Sequence, residues 1–413
     1  MNIYLVIILT ILVIEYLLNI SAEIFNLKVL NKGIPLGFKE YYDPERYDKS
    51  QSYLKDNTYF KIIKDTAFLI VVLTLILSGG FSAIDQIARG FGFGVIVTGL
   101  FFVGILFFLF QILEIPFSAY HTFVIEQRYG FNRTSVKTFI QDIIKGWGLM
   151  IAIGGVVFAF IIWFFLKTGN SAWILCWLAV TLVELFIMFI APAVIMPLFN
   201  KFIPLEEGEL KGAITDYAHS ENFKLNGIFK MDGSRRSAKS NAFFTGFGRF
   251  RRIVLFDTLI EKHTKEELVS VLAHEIGHYK KKHILKFLMI SMLTSGLMFF
   301  MLSFFVNDAS FLLAFKIKNI SIYASLCLFG FLYSPINFVF SLLSNFLSRK
   351  YEYQADCYAV STFDHPESFI TALKKLSVDN LSNLNPHPWK VFLSYSHPPV
   401  LARINTISKR NRA

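Results

Sequence analysis

Seven apolar runs leave this chain few folds to choose from. Residues 3–20, 67–81, 91–113, 149–166, 173–195, 284–306 and 320–347 carry few or no charges. A helix needs about 20 apolar residues to cross ~30 Å of hydrocarbon. Lipid offers the backbone no hydrogen bonds, so such runs must be helices that satisfy their own peptide groups. The second run is short and is expected to extend backward past Asp65. The last is long and is expected to leave the bilayer before its end. The first has no basic start and exceeds the apolar core of a signal peptide, so it reads as an uncleaved span. The expected fold is an all-α multi-pass membrane protein. Composition agrees, with 54% apolar residues and 46 phenylalanines.

Loop charges alternate. The loop after the first run holds Lys28, Lys32, Lys39, Arg46, Lys49, Lys55, Lys61 and Lys64, whereas the next holds only Arg89. Arg128, Arg133, Lys137 and Lys145 follow, then Lys167 alone, then a large loop from 201 to 283 rich in Lys and Arg. Lys316 and Lys318 precede a basic tail. Basic loops favour the cytoplasm, so the amino terminus is expected outside and the large loop and tail inside. The same bias accounts for the net charge of +11. It marks contact with anionic lipid and gives no reason to invoke nucleic acid. Cys176, Cys327 and Cys357 have no C-x-x-C pairing and read as small buried hydrophobes.

The chain divides into residues 1–200 with the first five spans, the loop 201–283, the last two spans in 284–347, and the tail 348–413. In the loop, 208–222 reads as a helix, and 227–231, 241–244 and 253–256 read as extended. Thr264 is the expected N-cap of a helix through Leu268, Val271, Leu272 and Ile276, with Glu266 and Glu267 in its first turn. That helix has room to merge with the sixth span. Glu15, Glu114 and Glu184 lie in or at the ends of apolar runs. Charges there face a protein interior or a water-filled cavity, or else reach the head groups.

The chemistry centres on His274-Glu275-Ile276-Gly277-His278. Imidazoles at i and i+4 share one helix face and reach one metal. The glutamate between them is placed as a general base. Such a pentapeptide also arises by chance on surface helices, but the apolar face of 266–273 buries this one, and a partner lies downstream. Glu352 and Asp356 are again i and i+4. One carboxylate can complete a zinc site and the other can hold a ligand imidazole's free N–H. Two histidines, a glutamate and one open position make a catalytic zinc site. A structural site would close its fourth position with Cys or His, and none is suitably spaced. That counts against a non-catalytic channel or transporter. Hydrolysis also needs a second electrophile for the oxyanion. His397, in Tyr395-Ser396-His397-Pro398-Pro399, is the candidate, against a structural or exposed histidine. His283, His365 and His387 read as bystanders, the first because it lies off the motif face. Asn241-Ala242-Phe243-Phe244 reads as an edge strand for substrate or as an ordinary core strand.

These segments together resemble the type I CAAX prenyl protease family of integral-membrane zinc metalloproteases. The resemblance runs nearly end to end. It is carried by Pro116-Phe117-Ser118-Ala119-Tyr120-His121-Thr122-Phe123-Val124-Ile125-Glu126, by Pro197-Leu198-Phe199-Asn200-Lys201-Phe202 and by Ser240-Asn241-Ala242. Arg252-Ile253-Val254-Leu255-Phe256-Asp257-Thr258-Leu259, the histidine motif, the segment from Glu352 to Asp356 and Tyr395-Ser396-His397-Pro398-Pro399 complete it. The resemblance implies seven helices around an intramembrane chamber, with a small α+β zincin-like catalytic domain on the cytoplasmic side. It implies one Zn2+ on His274, His278 and Glu352, Glu275 as base, His397 at the oxyanion, and Asp356 and Arg403 in support. Asn241, Ala242 and Phe243 would form the substrate strand. The implied substrate is an extended carboxyl-terminal C-a-a-X segment, with or without an isoprenyl group. The alternative is a quality-control protease with no prenyl requirement. The implied membrane is the endoplasmic reticulum in a eukaryote and the plasma membrane in a bacterium.

Overall fold

The computed structural model describes residues 2–30, 32–245 and 251–410, with residue 170 as backbone only. Among them six helices are long and apolar enough to cross a membrane: Ile3–Lys28, Val95–Glu126, Val136–Thr168, Ala172–Phe199, His283–Leu302 and Ile322–Thr362. The second expected span is broken rather than continuous. Pro44–Ser78, which does extend backward past Asp65, turns by 69° into Gly80–Gly90. Gly79 makes the corner with φ 86°, and its N–H closes the helix on the Leu75 carbonyl. A side chain there would be strained, and its Cβ would meet Lys316 at 3.0 Å. Counting the bent pair as one crossing gives seven.

The last span runs 41 residues, about 60 Å at ~1.5 Å per residue, roughly twice the hydrocarbon thickness. Its far third therefore projects beyond any bilayer that its apolar part occupies. One core lies among the spans and includes Ile8, Phe81, Phe102, Phe315 and Tyr323. A second joins the large loop to the tail through Ile214, Leu255, Leu272, Phe369 and Ile407. A third packs Phe38 and Tyr42 against Phe131 and Leu384. Of the intramembrane glutamates, Glu114 pairs with Lys64 at 2.5 Å. Glu184 accepts from Ser291 at 3.4 Å.

The large loop forms a four-stranded sheet. Its strands are β1 (Phe202–Pro204), β2 (Ile228–Met231), β3 (Ala242–Thr245) and β4 (Arg252–Phe256). Their order is β1-β2-β4-β3, with β2 and β4 parallel and the outer pairs antiparallel. β1 is three residues ending in proline, too short to leave a periodic signal. The helix expected at 208–222 is Glu209–Ser220. Asn241 precedes β3, and its carbonyl accepts from the Phe256 N–H.

The motif helix is Lys265–Lys280. Thr264 caps it, with Glu267 returning a bond to the Thr264 N–H. It does not merge with the sixth span. Lys282 adopts φ 59°, and a new helix starts at His283. Gly277 marks where the motif helix meets the long last helix, since a Cβ there would lie 3.1 Å from Ala355 Cα. The motif's glycine thus permits the close approach that brings Glu352 to the histidines.

Candidate active site

The two helices bring His274, His278 and Glu352 together. One donor atom from each lies within 4.8 Å of the others. His274 Nε2 and His278 Nε2 are 3.1 Å apart. Glu352 Oε2 lies 3.4 Å from His274 Nε2, and Oε1 lies 3.2 Å from His278 Nε2. Glu352 is 4% exposed, yet its buried Oε2 has no hydrogen-bond partner among the described residues. A buried carboxylate oxygen without a donor is costly. The orphaned oxygen and the N, N, O donor set both fit a bound zinc ion.

Asp356 stands behind His274, its Oδ1 2.9 Å from Nδ1. Arg403 clamps the same carboxylate twice, from Nη2 at 2.5 Å and Nε at 2.9 Å. Its Nη1 reaches to 3.4 Å from Glu352 Oε2. This bidentate pair fixes Asp356, which fixes the imidazole with Nε2 facing the cluster. Burial would lower the His274 pKa, but bonds to Asp356 and Glu352 outweigh it and raise it to about 9. Burial also pushes Glu275 above the usual carboxylate range, with help from the like charge of Glu352. Glu275 makes no bond to the cluster and remains available for proton transfer.

His278 has its own support, in a residue expected to be a bystander. His283 Nδ1 lies 3.1 Å from His278 Nδ1, and its Nε2 lies 2.9 Å from Gln354 Oε1. One tautomer assignment satisfies this chain. His278 donates to His283, His283 donates to Gln354, and His278 Nε2 keeps its lone pair for metal. Tyr351 stacks on His283 at 4.2 Å. Helical spacing put His283 off the motif face. The turn at Lys282 interrupts that spacing and folds it back, and nothing in the linear pattern signals it.

His397 is well exposed, with Nε2 3.4 Å from Glu352 Oε1 and Nδ1 3.0 Å from the Ser396 hydroxyl. β3 lies at the sheet edge, pairing only with β4 among the described residues. Phe244 packs on Tyr279, next to His278, with ring centroids 6.0 Å apart. His365 and His387 stay away from the cluster. His387 caps a short helix and accepts from the Trp389 N–H.

A hydrolytic donor set at the projecting end of a membrane helix defines an integral-membrane metalloendopeptidase. Comparison with known proteins agrees. Residues 23–201 match the model of the CAAX prenyl protease N-terminal region with five membrane helices, and residues 204–411 match peptidase family M48. The chain belongs to this family. It is 34% identical to CAAX prenyl protease 1 of Saccharomyces cerevisiae, over 92% of this chain and 89% of that protein. It is 35% identical to a CAAX prenyl protease 1 homolog of Oryza sativa, over 88% and 87%. The crystal structure of S. mikatae Ste24p superposes with a TM-score of 0.93 at 31% identity, covering 98% of this chain and 99% of that one.

Proposed function

We propose that this zinc membrane endopeptidase cuts peptide bonds near the carboxyl terminus of isoprenylated C-a-a-X proteins. The carrying observation is the convergence of His274, His278 and Glu352 on one point, with Glu275 in their electrostatic reach. Support for the substrate comes from the relatives' names. The comparisons do not favour the quality-control alternative.

His274, His278 and Glu352 would hold one zinc ion. When bound, the ion supplies Lewis acidity that activates a water and polarises the scissile carbonyl. Glu275 takes the proton as the water attacks, then delivers it to the leaving amine. His397 donates to the developing oxyanion. Asp356 and Arg403 hold His274 in register. The substrate adds an extended strand beside β3, bonding to the backbone from Asn241 to Phe243, so that sequence demands on it are mild.

The loop charges put the sheet, the motif helix and the tail in a small catalytic α+β domain on the cytoplasmic side. The seven crossings enclose the chamber that takes the hydrophobic tail. The relatives come from eukaryotes, which favours the endoplasmic reticulum of the two membranes expected from the sequence. The test compares matched C-a-a-X peptides with and without a farnesyl group. Buried methylenes contribute ~0.8 kcal/mol each, so farnesylation should raise kcat/KM chiefly through KM. Equal kcat/KM for the two peptides would overturn the prenyl reading and leave the peptidase chemistry untouched.

A further inference from the structure

Beside the metal centre lies a cavity of about 900 Å³ that the catalytic reading does not use. Lys281, Lys286, Arg349, Lys350 and Arg410 line it, and no Asp or Glu does. Among the described residues none of these five cations has a carboxylate within ion-pair distance. Arg349 is braced on the Tyr395 carbonyl at 2.6 Å, and Lys286 sits 5.1 Å over the Tyr351 ring. Lys281, Lys350 and Arg410 are exposed. The Glu221 carboxylate accepts from the hydroxyl of Tyr358, one of the lining residues.

The cavity's place in the fold is as informative as its charge. Lys286 is in the first turn of His283–Leu302, a membrane span. Phe346, also lining the cavity and exposed, sits where the apolar run of the last span ends. Val391 of the tail extends the apolar wall. The lining therefore combines cations with apolar side chains, and at Lys286 and Phe346 it lies where two spans leave hydrocarbon. Basic pockets between spans at that level suit anionic head groups.

We propose that this cavity binds an anionic phospholipid, its head group held by the basic lining that includes Lys281, Lys350 and Arg410, with an acyl chain along Phe346 and Val391. The bilayer supplies such a ligand at high local concentration, and the apolar wall gives it an advantage over a free anion or an acidic peptide. The site borders the catalytic centre: Gln354, which holds His283, and Pro398, which follows His397, are shared walls.

Native mass spectrometry of the full chain in detergent tests this, with phosphatidylserine and phosphatidylcholine titrated separately. No peptidase assay is involved, so lipid binding stands or falls apart from the activity. The protein should retain phosphatidylserine over phosphatidylcholine. Each basic residue contributes roughly fivefold in affinity, so Lys281→Gln, Lys350→Gln and Arg410→Gln together should weaken retention on the order of 100-fold. The charge-conserving Lys281→Arg, Lys350→Arg, Arg410→Lys protein should bind like the parent, which separates lost charge from lost fold. Equal retention by the glutamine variant would overturn the site. Displacement of the lipid by inorganic phosphate, or by a soluble acidic peptide, at matching concentration would overturn its assignment to a lipid.

Discussion

Two carboxylates in this molecule are equally buried and are treated in opposite ways. Glu23 and Glu352 are each 4% exposed. Glu23 is neutralised by Lys61 and Lys390, each 2.5 Å from its Oε1. Beside it, Asn26 accepts from Asn383 and from the His387 N–H. That cluster ties the first and second helices to the tail and leaves the carboxylate fully paired. Glu352 faces three imidazoles and Arg403, none closer than 3.2 Å, and among the described residues retains an oxygen with no donor. Burial alone does not separate structural from functional charge. The separation lies in whether the pairing is complete, because a site built for a metal ion must leave coordinating atoms free of protein partners.

This contrast can be broken at several points. His274→Ala should abolish both metal and activity, taking zinc from about one per chain to background by elemental analysis. A fully metallated variant would remove the ligand assignment. Glu275→Gln should keep zinc but lower kcat by on the order of 10²–10⁴, measured on a peptide in detergent. Near-normal turnover would exclude Glu275 as the base. His397→Ala should lower kcat by about 10²–10³ with zinc content intact. An unchanged kcat would leave His397 a structural residue.

Glu23→Ala should invert that pattern. Removing one member of a buried pair costs about 3 kcal/mol, so thermal unfolding should occur at lower temperature while zinc content and kcat stay normal. A loss of zinc in this variant would mean that the two clusters are coupled.

The smallest effect concerns His263, a fully buried side chain 2.9 Å from Glu267 at the start of the motif helix. Burial lowers its pKa despite the opposing pull of Glu267. The unfolded chain takes this proton near pH ~6.5, so its contribution to stability is complete above that pH. It is lost as pH falls toward the lower folded value, with a slope of at most about 1.4 kcal/mol per pH unit. His263→Gln should flatten the fall in melting temperature between pH 7 and 5.5. An identical pH dependence in the two proteins would assign the acid sensitivity elsewhere.

Much of this was legible in linear order. Apolar length alone located the spans, since hydrocarbon thickness sets it. Thr264 and Glu267 announced the start of the motif helix, and i, i+4 spacing put His274 with His278 and Glu352 with Asp356. The break at Gly79 was not legible, because a glycine inside an apolar run signals a corner only when Lys316 is seen against it. β1 was too short to read.

What the sequence by itself determined is therefore local. It settled which segments are helical and apolar, which donor types recur at one helical turn, and which family they belong to. Only the tertiary structure decided which residues meet. Glu352 reaches the histidines across 74 positions because Gly277 lets two helices approach. His283 joins the site because one left-handed residue, Lys282, reverses its direction. Helical periodicity is carried by the backbone and can be read residue by residue. Convergence depends on how two helices pack, and packing is a property of pairs of surfaces that no single stretch contains.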